Sequence, residues 1–170
     1  MYKDPDSLNG SIFSKIVFLT TGLCIGFLIT VIFFGAYRVS DKNMSPVLEP
    51  GDYIFINRYK SASVGDVVLV KSPVQEDRFY LSRVVAVGES SVRIEKKVLY
   101  VNDAPSDIKF YSKDSRVLPG EKTERDNMSH KPVSKDTVFI IGDNWDYSYD
   151  SRYFGPISTE NIKGVVFLKI

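Results

Sequence analysis

The chain has 170 residues, of which 44% are hydrophobic, and it carries 22 basic and 21 acidic residues. A net charge of +1 argues against a protein that tracks nucleic-acid phosphates, and the length suits one domain of about 100–200 residues. The single His and single Cys exclude an internal disulfide framework and a zinc site of His and Cys ligands within one chain. We therefore expect no metal, no cofactor and no nucleic-acid partner.

The first predicted element is a membrane anchor over residues 16–37, which carry no charge. At 1.5 Å per residue this segment is about 33 Å long, enough to cross a bilayer core. A buried helix of a soluble protein, the alternative, would be expected to show a polar face, and a cleavable signal peptide has a shorter apolar region. We predict a disordered tail over 1–15, a transmembrane helix over 16–37, and membrane lipid as a partner. The flanking charges do not settle the orientation.

The remaining residues, 38–170, are predicted to form a single mainly β domain. Short runs rich in β-branched and aromatic residues recur along them, and no long helical period separates these runs. They lie at 53–57, 67–70, 79–87, 98–101, 138–141 and 165–168. Gly-Asp pairs at 51–52, 65–66 and 142–143 are turn signals. The polar stretch 103–136 is predicted to be a long excursion or small flap, with disorder as the open alternative.

Charged and hydroxyl side chains crowd one loop near the end of the domain. Asp143, Asp150 and Arg152 lie between apolar runs, and an Arg among carboxylates can form bidentate pairs that fix a loop. Ser148 and Ser151 can supply hydroxyls to a site. On these residues alone, an ion-paired turn without chemistry and a reactive site remain equally open.

Three segments together resemble the type I signal peptidases of bacteria, the membrane-anchored Ser/Lys proteases of family S26. Residues 43–52 match Ser-Met-x-Pro-Thr-Leu followed by Gly-Asp, and residues 82–85 match Lys-Arg-Val-(Ile/Val). Residues 142–155 match Gly-Asp-Asn-x-x-x-Ser-x-Asp-Ser-Arg-x-x-Gly. The resemblance implies an antiparallel β domain outside the cell membrane, an apolar surface lying on that membrane, and a single-pass helix with a cytoplasmic N-terminus.

Three positions that carry the chemistry of that family depart from its pattern. Its nucleophilic Ser corresponds to Asn43, its general-base Lys to Ser82, and a hydroxyl that helps to bind the oxyanion to Asp41. An amide is a very poor substitute for a nucleophilic hydroxyl, and a Ser hydroxyl takes up no proton near neutral pH. A carboxylate opposes the negative charge that develops on the substrate oxygen. We therefore predict a pseudoenzyme without catalytic residues.

A rewired active signal peptidase is the alternative. Ser45 is its candidate nucleophile, but at about 3.3 Å per residue it lies about 6.6 Å along a strand from the inherited position. Catalytic groups tolerate errors nearer to about 0.5 Å. Lys42 and Lys71 are the nearest candidate bases in sequence, and His130 lies in the polar stretch. Lys42 would point to the opposite face of the strand.

The surviving features suit peptide binding, because an extended chain can add to a strand edge through its backbone. The predicted peptide-binding residues are Val39, Met44, Ser45 and Pro46. The residues predicted to hold the fold are Asp143, Asn144, Asp150 and Arg152. Degenerate homologues of this size resemble those of Gram-positive bacteria, some of which assist pilin assembly alongside a sortase. The resemblance therefore implies a membrane-tethered chaperone or scaffold for a secreted chain such as a pilin.

Overall fold

The structure is a computed structural model that describes residues 5–74, 77–113 and 123–170. It divides into two compact units, one that ends at Gly35 and one that runs from Ala36 to Ile170. The first unit contains helix α1 (Pro5–Phe33), whose segment Ile12–Phe33 is long and apolar enough to cross a membrane. The side chains along that segment are exposed, as expected of a helix whose apolar surface faces lipid.

The helix boundaries differ from the predicted 1–15 tail and 16–37 span. The helix begins at Pro5, a residue that suits a first turn because its missing N–H is not needed there. It ends at Phe33, since residues Phe34–Arg38 form strand β1. The uncharged run therefore predicted the apolar segment of the chain correctly, but it did not predict where the helix begins and ends.

The second unit is built on a seven-stranded sheet in the order β1-β2-β11-β3-β4-β9-β10. Each pairing from β2 to β10 is antiparallel. Its remaining strands are β2 (Tyr53–Asn57), β3 (Val67–Lys71), β4 (Phe79–Val87), β9 (Thr137–Ile141), β10 (Ile157–Ser158) and β11 (Ile162–Lys169). Short helix α3 (Ser151–Phe154) and a 3-10 turn (Thr159–Asn161) join β9, β10 and β11. The predicted mainly antiparallel β class is confirmed.

A smaller antiparallel sheet in the order β7-β6-β5-β8 packs beside it. Its strands are β5 (Ser90–Glu95), β6 (Val98–Val101), β7 (Ala104–Pro105) and β8 (Met128–Val133), with helix α2 (Thr123–Asp126) before β8. Much of the predicted polar excursion 103–136 is therefore folded, and its residues 114–122 lie outside the described ranges. Only the first and last residues of β8 are buried, so its sequence shows no strong alternation.

The core consists of apolar clusters on both faces of β4 and β9. Phe139 and Ile141 point into a cluster shared with the small sheet, whereas Val138 and Ile140 point to the opposite face. This is the period-two alternation of a strand buried on both sides. A further cluster packs the segment after β1 against β2, β3 and β4.

The register of β4 and β9 positions the site. Arg83 lies opposite Ile141, the last residue of β9, so the loop that begins at Gly142 starts level with Ser82. On the β9 side, the Phe79–Ser82 half of β4 has no strand partner within the described part of the chain.

We expect Phe139→Ala to lower the free energy of unfolding by about 3–5 kcal/mol, because it leaves a cavity where the two sheets meet. Phe139 is fully buried, whereas Phe167, the matched control, is half exposed. Chemical denaturation of the full chain in micelles measures both variants. Equal losses for Phe139→Ala and Phe167→Ala would contradict this description of the core.

Candidate functional site

A fully buried ion pair organises the loop after β9. The guanidinium of Arg152 donates from Nε to Oδ1 of Asp150 over 2.9 Å and from Nη1 to the carbonyl of Trp145 over 2.9 Å. Both side chains of the pair are 0% exposed. The Asp150 carboxylate also accepts from the Gly142 N–H (3.0 Å) and the Ser148 hydroxyl (2.6 Å). One carboxylate thus connects the start, middle and end of the loop.

The two loop serines are engaged in this network. Ser148 Oγ donates to Asp150 and accepts from Arg152 Nη2 over 2.8 Å. Ser151 Oγ accepts the N–H of Ile140 over 3.1 Å. Both residues are buried, so their hydroxyls meet protein groups rather than the cleft.

A second ion pair joins the loop to the sheet. Arg83 donates from Nε to Asp143 over 2.7 Å and from Nη1 to the Gly65 carbonyl over 2.7 Å. The hydrogen-bonded Asp143 carboxylate raises the pKa of Arg83 above its ordinary value, against the opposing effect of burial. The Asp143 N–H points to Met44 Sδ at 3.4 Å. The pair therefore fixes the loop against β4 and against the segment that follows β1.

The backbone of Asn43, the position that the sequence matched to a nucleophile, is held against this loop. The Asn43 carbonyl accepts the Asn144 N–H over 2.9 Å, and Asn144 Nδ2 donates to the Lys42 carbonyl over 3.0 Å. A Cβ at Gly142 would lie 2.6 Å from the Asn43 carbonyl oxygen and 2.4 Å from Ser148 Cβ. Only a glycine allows this close approach.

The positions matched to the nucleophile and the base converge near Gly142. Arg83 lies opposite Ile141 in the β4–β9 register. One residue further along, Ser82 comes close to Gly142, and Gly142 lies against the carbonyl of Asn43. Asn43 is 8% exposed and Ser82 is 1% exposed. These two positions supply an amide and a hydroxyl, and neither of them supplies an amine.

A cleft of about 810 Å³ opens beside Asn43. Three parts of the chain line it: the segment after the helix, the start of β4, and the late loop. The lining residues are Tyr37, Ser40, Asp41, Asn43, Asp77, Arg78, Phe79, Tyr80, Tyr147 and Tyr149.

None of the four predicted peptide-binding residues is among the described residues that line this cleft. Val39 and Met44 do not line the cleft, because both are buried in the core with Ile54 and Leu81. Ser45 and Pro46 line a separate cavity of about 400 Å³. That cavity is also lined by Lys42, Glu49, Tyr111, Lys113, Asn144, Asp146 and Tyr147.

Asp41 brings a carboxylate to the cleft. Its Oδ1 accepts the N–H of Asn43 over 2.9 Å. Burial raises the pKa of Asp41 above its ordinary value, although this hydrogen bond and the charge of Arg78 act in the opposite direction. A partly buried carboxylate therefore lies in the cleft directly beside Asn43.

Within the described residues, no hydrogen bond or ion pair joins Ser45 to a lysine amine. Lys42 lines the same cavity as Ser45, and its predicted place on the opposite face of a strand is wrong, because residues 41–48 form bends and turns. Ser45 Oγ donates to Glu49 Oε2 over 2.7 Å. Lys71 ends β3 opposite Phe79, and His130 lies on the small sheet, 3.2 Å from Asp103.

Sequence reasoning missed most of the cleft lining. Tyr37, Tyr80, Tyr147 and Tyr149 come from distant parts of the chain and meet only through the fold. The one local signal is the pair Tyr147 and Tyr149, which flank Ser148 in a loop. Both tyrosines are exposed, so they do not serve the core and are candidates for binding.

An N-terminal apolar helix followed by this antiparallel β domain defines a protein of the signal peptidase I kind. Residues 12–170 match the family described as "Signal peptidase, peptidase S26", and the chain belongs to this family. It is 31% identical to signal peptidase I V of Bacillus subtilis over 76% of this chain and 82% of that protein. It is 27% identical to signal peptidase IB of Staphylococcus aureus strain COL over 94% and 89% of the two chains.

A solved structure shows the same fold. The crystal structure of a signal peptidase I from Enterococcus faecalis V583 superposes with a TM-score of 0.52 at 20% identity. The match covers 64% of this chain and 98% of that one.

We expect Asp150→Ala to cost about 3–5 kcal/mol of folding free energy, because it leaves the buried Arg152 guanidinium without its partner. Asp103→Asn, at an exposed carboxylate that pairs with Arg93, is the control and is expected to cost less than about 1 kcal/mol. An Asn also tolerates the positive φ of 64° at this position. Denaturant unfolding of the full chain measures both. A loss at Asp150 no larger than that at Asp103 would refute the organising role of the pair.

The raised pKa of Asp41 predicts a pH-dependent stability. The folded state binds the proton more tightly, so the unfolding free energy falls as pH rises from the ordinary Asp pKa to the raised value. An Asn retains the acceptor oxygen for the Asn43 N–H but does not ionise. We therefore expect Asp41→Asn to be more stable than the parent at neutral pH, and the difference to shrink as pH falls from the raised Asp41 pKa to the ordinary Asp pKa and then to stay constant. Unfolding curves across pH test this, and a pH-independent difference would disprove it.

Proposed function

We propose that this chain is a membrane-anchored, non-catalytic member of the signal peptidase I family that binds a secreted protein chain during surface assembly. The proposed partner is a pilin subunit, with a sortase acting on the same assembly. In this proposal α1 crosses the cell membrane once, the N-terminus is cytoplasmic, and the β domain is extracytoplasmic. The observation that carries the proposal is the pairing of an amide, Asn43, with a hydroxyl, Ser82, at the two positions that the sequence matched to the nucleophile and the base.

The chemistry of that pairing supports a loss of activity. Acyl transfer needs a nucleophile together with a base that takes its proton. The Asn43 amide is a very poor nucleophile, and the Ser82 hydroxyl takes up no proton near neutral pH. Asp41 adds a negative charge where charge develops on a substrate oxygen. Because a nucleophile and its base act as a unit, losing both removes the mechanism rather than slowing it.

The edge of β4 that has no strand partner in residues 5–74, 77–113 and 123–170 supports the proposed peptide binding. Val84 exchanges hydrogen bonds with the Gly65–Asp66 turn, through its N–H over 2.9 Å and its carbonyl over 2.8 Å. Backbone direction alternates along an antiparallel strand, so the backbone groups of Phe79 and Leu81 point away from β3, towards the cleft. An extended peptide can bond to this edge while its side chains enter the 810 Å³ cleft.

An active signal peptidase with a rewired site is the second candidate. Two observations favour it: the named relatives are signal peptidases, and the Ser45 hydroxyl already donates to a carboxylate, that of Glu49. This arrangement needs Glu49 to accept the proton of the attacking hydroxyl. Loss of substrate cleavage in Ser45→Ala would favour this candidate.

Crosslinking in membranes tests the binding proposal. A photoreactive phenylalanine at Tyr149, on the cleft, is expected to capture a co-expressed pilin or another exported chain. The same probe at Tyr59, an exposed tyrosine outside the cleft lining, is the control and is expected to capture none. Absence of any adduct from the Tyr149 probe, with full-length protein present in the membrane, would count against the proposal.

Restoring the family residues tests the assigned positions. We expect Asn43→Ser and Ser82→Lys each to stay inactive, because neither supplies both nucleophile and base. The double variant is expected to recover slight cleavage of a signal-peptide substrate, limited by Asp41, and a further Asp41→Ser change is expected to increase it. Full activity from either single variant would overturn the correspondence.

A further inference from the structure

We propose that the cleft selects a peptide segment carrying a lysine or arginine side chain, which is seated against the Asp41 carboxylate among tyrosine rings. This inference rests on the proposed peptide-binding function and names the chemistry of the bound segment. The cleft is large enough for an extended peptide, and its carboxylates and aromatic rings favour a cationic side chain in that peptide.

One oxygen of the Asp41 carboxylate is available to accept a hydrogen bond from a ligand. Its Oδ1 accepts the Asn43 N–H, and Oδ2 has no hydrogen-bond donor within residues 5–74, 77–113 and 123–170. Asp41 is partly buried and lines the cleft. A carboxylate that has lost part of its hydration binds an ammonium or guanidinium group through a charge-assisted hydrogen bond.

The aromatic lining points to the same kind of ligand. Tyr37, Tyr80, Tyr147 and Tyr149 line the cleft, and the side chains of Tyr147 and Tyr149 are 67% and 48% exposed. The faces of aromatic rings attract cations. The same rings pack against the apolar stem of a lysine or arginine, whose charged end reaches further in.

The charge balance disfavours an acidic ligand. Among the lining residues that the structure describes, the acidic Asp41 and Asp77 outnumber the one cation, Arg78, whose charge acts on Asp41. An incoming carboxylate would have to face both aspartates. An incoming cation meets the carboxylates directly, and it is the ligand charge that this lining favours.

Binding of designed peptides to the full chain in nanodiscs tests the inference. The probes are fluorescent ten-residue peptides of alanine, valine and serine with one central lysine, arginine, norleucine, acetyl-lysine or glutamate. We expect the lysine and arginine peptides to bind at least about tenfold more tightly than the norleucine and acetyl-lysine peptides. The glutamate peptide is expected to bind most weakly.

Variants then assign the preference to one carboxylate. Asp41→Asn is expected to bring the ratio of the affinities for the lysine and norleucine peptides from at least about ten to about one. Asp103→Asn, at an exposed carboxylate outside the cleft lining, is expected to keep the full preference. Comparing lysine with acetyl-lysine on the unmodified chain gives a readout that needs no variant.

The outcomes separate the two proposals. Equal binding of the lysine and norleucine peptides would overturn the inference and leave the proposed peptide binding standing. A preference for the lysine peptide that persists in Asp41→Asn would also overturn the inference, because another group would then bind the cationic side chain. Failure of the peptides and of the exported chain to bind at all would overturn the proposed function itself.

Discussion

The buried ion pair of Asp150 and Arg152 determines the geometry of the cleft. Its carboxylate holds the N–H of Gly142, and Gly142 lies against the carbonyl of Asn43. The guanidinium spans the loop interior to the Trp145 carbonyl. Removing either partner would bury an unpaired charge, so the pair is retained for structural reasons whether or not the neighbouring site performs chemistry. The cleft can therefore keep its shape independently of the side chains at Asn43 and Ser82.

The fold was predictable where local pattern and tertiary contacts agree. Strands β2, β3 and β9 are apolar runs that supply core residues, and their β-branched and aromatic residues suit that setting. Strand β11 was also predicted from its apolar run, although only Val165 of that run is buried and Phe167 and Leu168 are exposed. Strand β8 carries a largely polar sequence and forms by pairing with β5, so composition alone suggested an excursion. The helix ends also escaped prediction, because β pairing begins at Phe34, inside the uncharged run.

The late loop could be read from sequence because its Asp and Arg residues are close together and their pairing is local. The cleft could not be, since Tyr37, Tyr80 and Tyr147 are brought together only by the strand order. Val39 and Met44 looked suited to a peptide surface because they neighbour Asn43. The structure buries both in the core instead, because residues 41–48 form bends and turns rather than a strand, and Met44 packs in the same apolar cluster as Val39.

The central claim is that this member of the family binds a chain without cutting it. The most direct measurement is mass spectrometry of a signal-peptide substrate incubated with the purified full-length chain and with its Ser45→Ala variant. Signal peptidase I V of Bacillus subtilis serves as the active comparison. We predict intact substrate with both forms of this chain and cleaved substrate with the Bacillus enzyme. A specific product from the unmodified chain that disappears in Ser45→Ala would contradict the account.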